Sequence, residues 1–110
     1  MLKKTHRLTQ KQFDTFFALG KRKHFKHLTI ITHPHDTFLA AVVAGKKVSK
    51  SAVRRNTLRR RVYARLAHSL SEQSLTGVYI VLLKPSYNSL SRAAADEFLA
   101  ESIAVTTQTA

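Results

Sequence analysis

Apolar residues near the start of the chain follow a helical spacing. Phe13 and Phe17 lie four positions apart and would share one face of a first helix. Thr9 is suited to cap this helix, because Gln12 follows three positions later as in a capping box. Gly20 then marks the end of the helix. A phenylalanine cluster of this kind is typical of a hydrophobic core.

Two further helices are predicted downstream. Over residues 51–70, apolar side chains at i, i+4 and i+8 form a stripe that can pack on a sheet, and Ser49 or Ser51 can cap the helix. The stripe consists of Leu58, Val62 and Leu66. A last helix is predicted from about 89 to 105, with Asn88 or Ser89 as its cap and Leu90, Ala94 and Phe98 on its apolar face.

Continuous apolar runs predict the strands. Residues 28–32 are rich in β-branched side chains, and residues 38–44 are apolar throughout, which indicates burial on both faces or a place at the centre of the sheet. A third strand is predicted over 78–84, between Gly77 and Pro85.

The element order predicts a single-domain α+β two-layer sandwich, in the order α-β-β(-β)-α-β-α, with a mixed sheet. The helix over 51–70 lies between two strands and can join them as parallel neighbours, for which a right-handed crossover is the general expectation. We expect an ordered core over about 7–104, an extended basic arm over 1–8 and a flexible tail over 105–110.

The charge of the chain indicates a polyanionic partner. Nineteen basic and six acidic residues among 110 give a formal net charge of +13. A domain this basic usually binds nucleic acid, and an anionic membrane surface is the competing explanation. The chain has no cysteine, no secretory signal and no apolar run long enough to span a membrane. We therefore expect a soluble cytoplasmic protein.

The positive charge is concentrated in residues 45–66. Nine of the nineteen basic residues lie there, and no acidic residue occurs between Asp36 and Glu72. Phosphate is the expected counter-ion, because no nearby carboxylate relieves the repulsion and arginine forms forked contacts with phosphate. The alternative is a solvated basic helix without a specific partner. The nine residues are Lys46, Lys47, Lys50, Arg54, Arg55, Arg59, Arg60, Arg61 and Arg65.

The sequence offers little for catalysis by the protein itself. Among the six histidines, only His33 and His35 are closely spaced, and no further ligand follows at metal-binding spacing. The paired carboxylates that two-metal phosphodiester cleavage requires are missing, since Asp14 and Asp36 are isolated. Three glycines in the whole chain form no phosphate-binding loop. We predict no protein active site.

The central stretch resembles the signature helix of the protein subunit of bacterial ribonuclease P. That family has a Lys-Lys loop followed by Arg-Asn-Arg-x-Lys-Arg. The match rests on Lys46, Lys47, Arg55, Asn56 and Arg60, with Arg59 matching by charge. Two positions depart from the family: Thr57 replaces an arginine, and Tyr63 stands where another arginine is common.

The resemblance covers about residues 3–104 and implies a function. Bacterial ribonuclease P removes the 5′ leader of precursor tRNA by RNA catalysis, and its protein subunit binds both the catalytic RNA and the leader. The resemblance implies that Mg²⁺ is used by the RNA and at the RNA–protein interface, and that one protein monomer binds one RNA. It also implies a fold like domain 2 of ribosomal protein S5, with a left-handed crossover. We therefore expect a left-handed crossover, as in the family.

The resemblance also assigns residues. Contacts with the catalytic RNA fall to Lys46, Lys47, Lys50, Arg54, Arg55, Asn56, Arg59, Arg60 and Arg61. The leader would meet Phe13, Phe17 and Lys26, whereas Ile31 stands where the family often has tyrosine.

Two other functions remain compatible with the residues alone. A small ribosomal protein would be equally basic and free of cysteine. A DNA-binding module could insert the helix over 51–70 into a major groove. However, the preceding segment, 38–44, is predicted as a strand and not as the first helix of a helix-turn-helix motif.

Overall fold

The described part of the chain forms one four-stranded sheet and three α-helices. The fold was obtained as a computed structural model that describes residues 4–73 and 75–108. The elements are α1 (Gln10–Leu19), β1 (Lys21–His24), β2 (Leu28–His33), β3 (Phe38–Val43), α2 (Ala52–Gln73), β4 (Gly77–Leu83) and α3 (Arg92–Gln108), with 3₁₀ turns at Lys4–His6 and Pro85–Ser89.

The sheet is mixed, in the order β1-β2-β4-β3. β2 pairs antiparallel with both β1 and β4, and β3 pairs parallel with β4. The prediction that the basic helix joins two parallel neighbours is confirmed, since α2 connects β3 to β4. The basic segment after α1 supplies the additional strand, β1, that the predicted element order left optional.

Helices cover both faces of the sheet. The larger core cluster contains Ile30 and Val81 from the sheet with Val62 from α2 and Leu99 from α3. Neighbouring strand residues point the other way, so Ile31 belongs to a second cluster beneath α1. The predicted two-layer sandwich therefore needs correction, because α1 adds a partial third layer on the opposite face.

β3 lies at an edge of the sheet, although both of its faces are largely covered. Phe38 and Ala40 face the larger cluster, and Leu39 faces the second one. Its outer backbone is covered as well: the N–H of Leu8 donates to the Ala40 carbonyl at 3.0 Å, and the N–H of Val42 donates to the hydroxyl of Tyr63 at 3.2 Å. Burial on both faces is thus correct, whereas the interior positions of the sheet belong to β2 and β4.

The predicted start signals of the first two helices are confirmed. Thr9 and Gln12 form both bonds of the capping box, and the N–H of Arg54 donates to the Ser51 hydroxyl at 3.2 Å. The buried stripe of α2 packs as predicted. α2 is longer than expected, however, because it continues to Gln73, beyond the predicted end at about residue 70.

The last helix differs from its prediction at both ends. Residues 85–89 form a separate 3₁₀ turn, and Ser91 caps α3 through the N–H of Ala94 at 3.1 Å. Asn88 and Ser89 are therefore not its caps. The helix extends to Gln108, so residues 105–108 are helical, whereas 109 and 110 lie outside the described residues. In the predicted extended arm, Lys4–His6 form a 3₁₀ turn, and residues 1–3 also lie outside.

Candidate nucleic-acid interface

The buried stripe of α2 determines which of its side chains face outward. Leu58, Val62 and Leu66 are at most 2% exposed against the sheet. The loop before the helix carries three exposed lysines, and Arg60 is exposed on the helix itself. The lysines are Lys46, Lys47 and Lys50. The loop and the outer side of α2 form one continuous basic surface.

Arg55 shapes the loop that precedes its own helix. Its guanidinium donates to the carbonyl oxygens of Ser49 at 3.0 Å and Lys50 at 3.2 Å. These bonds hold the loop against the first turn of α2 and restrict where Lys50 can point. Arg55 therefore has a structural role in addition to the phosphate contact that the sequence predicted.

Arg54 is held by Asn88, a residue that is distant in the sequence. Its Nε donates to Asn88 Oδ1 at 2.7 Å, and the Asn88 amide donates in turn to the carbonyl of Val48 at 3.1 Å. Asn88 thus connects α2, the lysine loop and the turn after β4. Because Arg54 is partly buried and already bonded, it is less accessible to RNA than Arg60.

The middle of the basic motif contains one exposed polar pair and one inward hydroxyl. Arg59 donates to the side-chain oxygen of Asn56, which keeps both groups on the outer surface. The Thr57 hydroxyl donates back to the Val53 carbonyl at 3.0 Å, within its own helix. Thr57 therefore offers no cation at the position where the resembled family has arginine.

A basic groove of 770 Å³ lies between α2 and α3. Arg61, Arg65 and Arg92 line it, and Asp96 stands 3.8 Å from the Arg65 guanidinium. Tyr87 forms part of its floor. Burial, together with Asp96, raises the pKa of this phenol to about 12, while Arg61 acts in the opposite direction. The Tyr87 hydroxyl is therefore protonated and uncharged near neutral pH.

The aromatic residues of α1 form a partly buried pair. The rings of Phe13 and Phe17 stack with centroids 5.5 Å apart, and no residue of α1 is fully buried. The guanidinium of Arg22 lies 4.4 Å from the centre of the Phe17 ring. The pair rests on the second core cluster and still presents surface to solvent. It is suited to both packing and base stacking.

Of the other two residues considered for the leader, Lys26 lies apart from this pair and Ile31 lies beneath it. Lys26 is exposed in the turn between β1 and β2. It follows Arg22 by four positions, a distance of about 13 Å along an extended chain. Ile31 is fully buried beneath α1, so it supports the aromatic pair and has no surface for RNA.

The roles of Arg22 and Tyr63 in the structure do not follow from the sequence pattern alone. Arg22 joins the basic segment of β1 to Phe17, and Tyr63 bonds the edge of β3. The basic run over residues 21–27 could have indicated Arg22. Its contact with the Phe17 ring, however, depends on the pairing of β1 with β2. The hydrogen bond from Val42 to the Tyr63 hydroxyl could not be predicted without knowing that β3 is an edge strand.

The described part of the chain shows no grouped metal ligands. Within residues 4–73 and 75–108, no three His, Asp or Glu side chains are close enough to hold a metal ion together. Over the same two ranges, no helix has the length and apolar character needed to cross a membrane.

Comparison with known proteins identifies relatives of this chain. The family model described as Ribonuclease P matches residues 2–106. The ribonuclease P protein component of Microcystis aeruginosa is 34% identical over 91 residues, which cover 76% of this chain and 76% of that protein. The protein component of Chromobacterium violaceum is 34% identical over 97 residues, or 84% of this chain and 78% of that protein.

Solved structures share the fold. A Staphylococcus aureus RNase P protein mutant, described as defective in mRNA degradation activity, superposes with a TM-score of 0.85 at 18% identity, covering 94% of this chain and 90% of that one. The S. aureus RNase P protein at 2.0 Å gives a TM-score of 0.75 at 15% identity, with 92% and 94% coverage. At these identities the likeness shows the fold alone.

Proposed function

From the premise that this chain belongs to the bacterial ribonuclease P protein family, we propose which of its surfaces meets each RNA. Membership makes the chain an RNA-binding subunit of an endoribonuclease complex that processes tRNA, with an RNA subunit and precursor tRNA as partners. The lysine loop and the outer side of α2 bind the catalytic RNA, and the aromatic pair of α1 binds the leader.

The contacts with the catalytic RNA divide by accessibility. Arg60 and the three loop lysines are exposed, so they bind phosphates directly. Arg55 positions the lysines through Ser49 and Lys50, and Arg54 does so through Asn88 and Val48. Asn56 and Arg59 act as a bonded pair, and Arg61 contacts RNA from the groove beside α3.

The leader binds to the face of α1 that carries Phe13 and Phe17. Stacking of bases on aromatic rings tolerates many sequences, which suits leaders that differ from one tRNA to another. Arg22 over the Phe17 ring adds a cation beside the stacked bases. Lys26 binds leader phosphates at a separate point, at the far end of the β1–β2 hairpin.

Catalysis belongs to the RNA subunit in this proposal, and the protein has no active site. Its basic surface does not fit Mg²⁺, which prefers oxygen ligands, and the described residues contain no group of metal-holding side chains. Any Mg²⁺ at the interface is therefore held by RNA oxygens. We extend the proposal to a cytoplasmic monomer bound one to one with the RNA, and to an S5-domain-2-like fold with a left-handed β3–α2–β4 crossover.

The observation that carries the proposal is the continuous basic surface of the lysine loop and α2 in a chain of this family. A ribosomal role would place the same cations on ribosomal RNA. The test adds purified protein to a bacterial ribonuclease P RNA and follows precursor tRNA cleavage across a magnesium titration. We expect cleavage at lower magnesium with the protein, and none with the protein alone.

Two outcomes would contradict this assignment. Cleavage by the protein without RNA would show an active site of its own. An unchanged magnesium requirement, together with co-purification of ribosomal RNA in place of ribonuclease P RNA, would favour the ribosomal alternative. Sequencing the RNA that co-purifies with the full chain distinguishes these partners.

A further inference from the structure

A second basic groove lies at the opposite end of the sheet from the lysine loop. Its volume is 780 Å³, and it is located where β1 begins, β2 ends and β4 begins. Lys21, Arg22 and Lys23 of β1 line it, together with His33 at the end of β2 and His35 in the connection from β2 to β3. Neither the signature helix nor the lysine loop contributes a side chain to it.

The charge of this groove favours an anionic ligand. Among residues 4–73 and 75–108, no Asp or Glu lines this groove. Two acidic side chains belong to neighbouring segments: Asp36 is exposed in the turn after His35, and Asp14 on α1 accepts a bond from Gln10 at 3.0 Å. The groove thus takes its positive charge from one short strand, with the side chains of Lys21 and Lys23 on one face of the sheet and that of Arg22 on the face that carries α1. A positively charged groove is the usual means of following a single-stranded phosphate backbone.

Ring contacts and hydrogen bonds fix the orientation of the two histidine side chains. Phe16 contacts both, with ring centroids 5.1 Å from His33 and 5.9 Å from His35. The Nδ1 atoms are bonded to backbone oxygens, that of Pro34 at 2.8 Å for His33 and that of Thr37 at 3.2 Å for His35. Imidazole rings are among the side chains on which unpaired bases stack. The groove thus combines phosphate-binding cations with stacking surfaces.

Arg22 makes this groove continuous with the aromatic pair of α1. Its guanidinium lies over the Phe17 ring, its Nη2 donates to the Phe17 carbonyl at 3.4 Å, and Arg22 is also one of the residues that line the groove. Leu19, which is 64% exposed, extends the connection along the end of α1. A strand that leaves the Phe17 ring in this direction enters the groove without crossing an acidic surface.

We propose that this groove binds single-stranded RNA, namely the 5′-distal part of a long precursor leader, after the leader has passed the aromatic pair. The proposal rests on the proposed function and extends it to the far end of the sheet. Lys21 and Lys23 bind the distal phosphates, and His33 and His35 stack with the bases. A short leader ends before the groove and gains nothing from it.

The test compares two precursor tRNAs, one with a short and one with a long leader, bound to the complete complex of catalytic RNA and full-length protein. Lys21→Glu is the variant, since Lys21 is exposed and the fold does not depend on it. Lys11→Glu is the matched control, because it makes the same charge change at an exposed position of α1 outside the groove. Melting curves confirm that both variants are folded.

We expect Lys21→Glu to weaken binding of the long-leader precursor several-fold and to leave the short-leader precursor unchanged. For the long leader it also flattens the salt dependence by about 0.7 per lost phosphate contact on a single strand. Lys11→Glu changes neither. Equal losses for both leaders would assign the groove to the catalytic RNA, and no loss for either would show that it binds no RNA; both results overturn the proposal.

Failure of this inference is distinguishable from failure of the proposed function. If the unmodified protein does not lower the magnesium requirement, or binds precursor and mature tRNA equally, the proposed function is wrong. If the unmodified protein prefers long leaders and Lys21→Glu retains that preference in full, only the groove assignment is wrong.

Discussion

Replacing Phe17 separates its packing role from its RNA role. Its ring is partly buried, stacks on Phe13 and lies under Arg22. Loss of the aromatic pair costs about 0.5–1.5 kcal/mol, and loss of the cation–π contact costs about 0.5–1 kcal/mol. The lost apolar burial adds about 1–2 kcal/mol for a side chain that is not fully enclosed. Phe17→Ala should therefore lower the free energy of unfolding by about 2–4 kcal/mol.

Phe17→Leu is the more informative variant. It retains most of the apolar contact with the sheet and loses the flat surface, so stability falls by only about 1–2 kcal/mol. Base stacking is lost in full, which should weaken binding of a leader-bearing precursor by about 1–3 kcal/mol relative to mature tRNA. Phe13→Leu is the control, since it breaks the same ring pair without disturbing the ring beneath Arg22.

The assay combines urea unfolding of each free variant with binding of precursor and mature tRNA to the reconstituted complex. We expect Phe17→Leu to lose most of the discrimination and Phe13→Leu to lose less of it, because the ring beneath Arg22 remains. If Phe17→Leu is destabilised yet prefers the leader as strongly as the unmodified protein, the aromatic pair belongs to the core and leader stacking on it is refuted.

Three further predictions concern other parts of the fold. Arg60→Ala should flatten the salt dependence of binding to the catalytic RNA by about one contact, whereas Arg60→Lys retains the slope; equal slopes for all three proteins would leave Arg60 on a solvated face. Gly20→Ala should lower the denaturant midpoint, because its φ of −69° is ordinary but an added Cβ would collide with the side chain of Ile31; an unchanged midpoint would show that the space can relax. Because burial and then Asp96 raise the pKa of Tyr87 from 10.0 to about 12, the folded state keeps a proton that the unfolded state loses, so the free energy of unfolding should fall by up to about 2–3 kcal/mol as pH rises through that window. Tyr87→Phe should remove that part of the decline, and identical pH dependence in both proteins would contradict it.

Features that depend on residues close together in the sequence were predicted correctly. The capping box at Thr9, the cap at Ser51 and the buried stripe of α2 all depend on residues three or four positions apart, and the structure has each of them. The end of α3 was predicted too early, since Thr106 is a buried residue that the hydrophobic pattern does not reveal.

Features that depend on distant partners were not predictable in the same way. The apolar run of β3 is consistent with either a central or an edge strand, and its place at the edge depends on Leu8 and Tyr63. Gly20 was predicted to end the first helix, and it does, but the close approach of β2 is what requires glycine there. The predicted contacts with the catalytic RNA included both Arg54 and Arg60, and the hydrogen bond of Arg54 to Asn88 distinguishes them.

The position of β4 has a consequence for synthesis of the chain. β2 and β3 leave the ribosome together, joined by a turn that is short enough for them to close on each other as a hairpin. In the native sheet they are not neighbours, because β4 lies between them. Any such early hairpin must open again before the last strand can be inserted, and non-local pairings of this kind are slow to form. A nascent chain interrupted before Gly77 therefore carries two apolar strands with no central partner, the condition under which edge-to-edge aggregation begins.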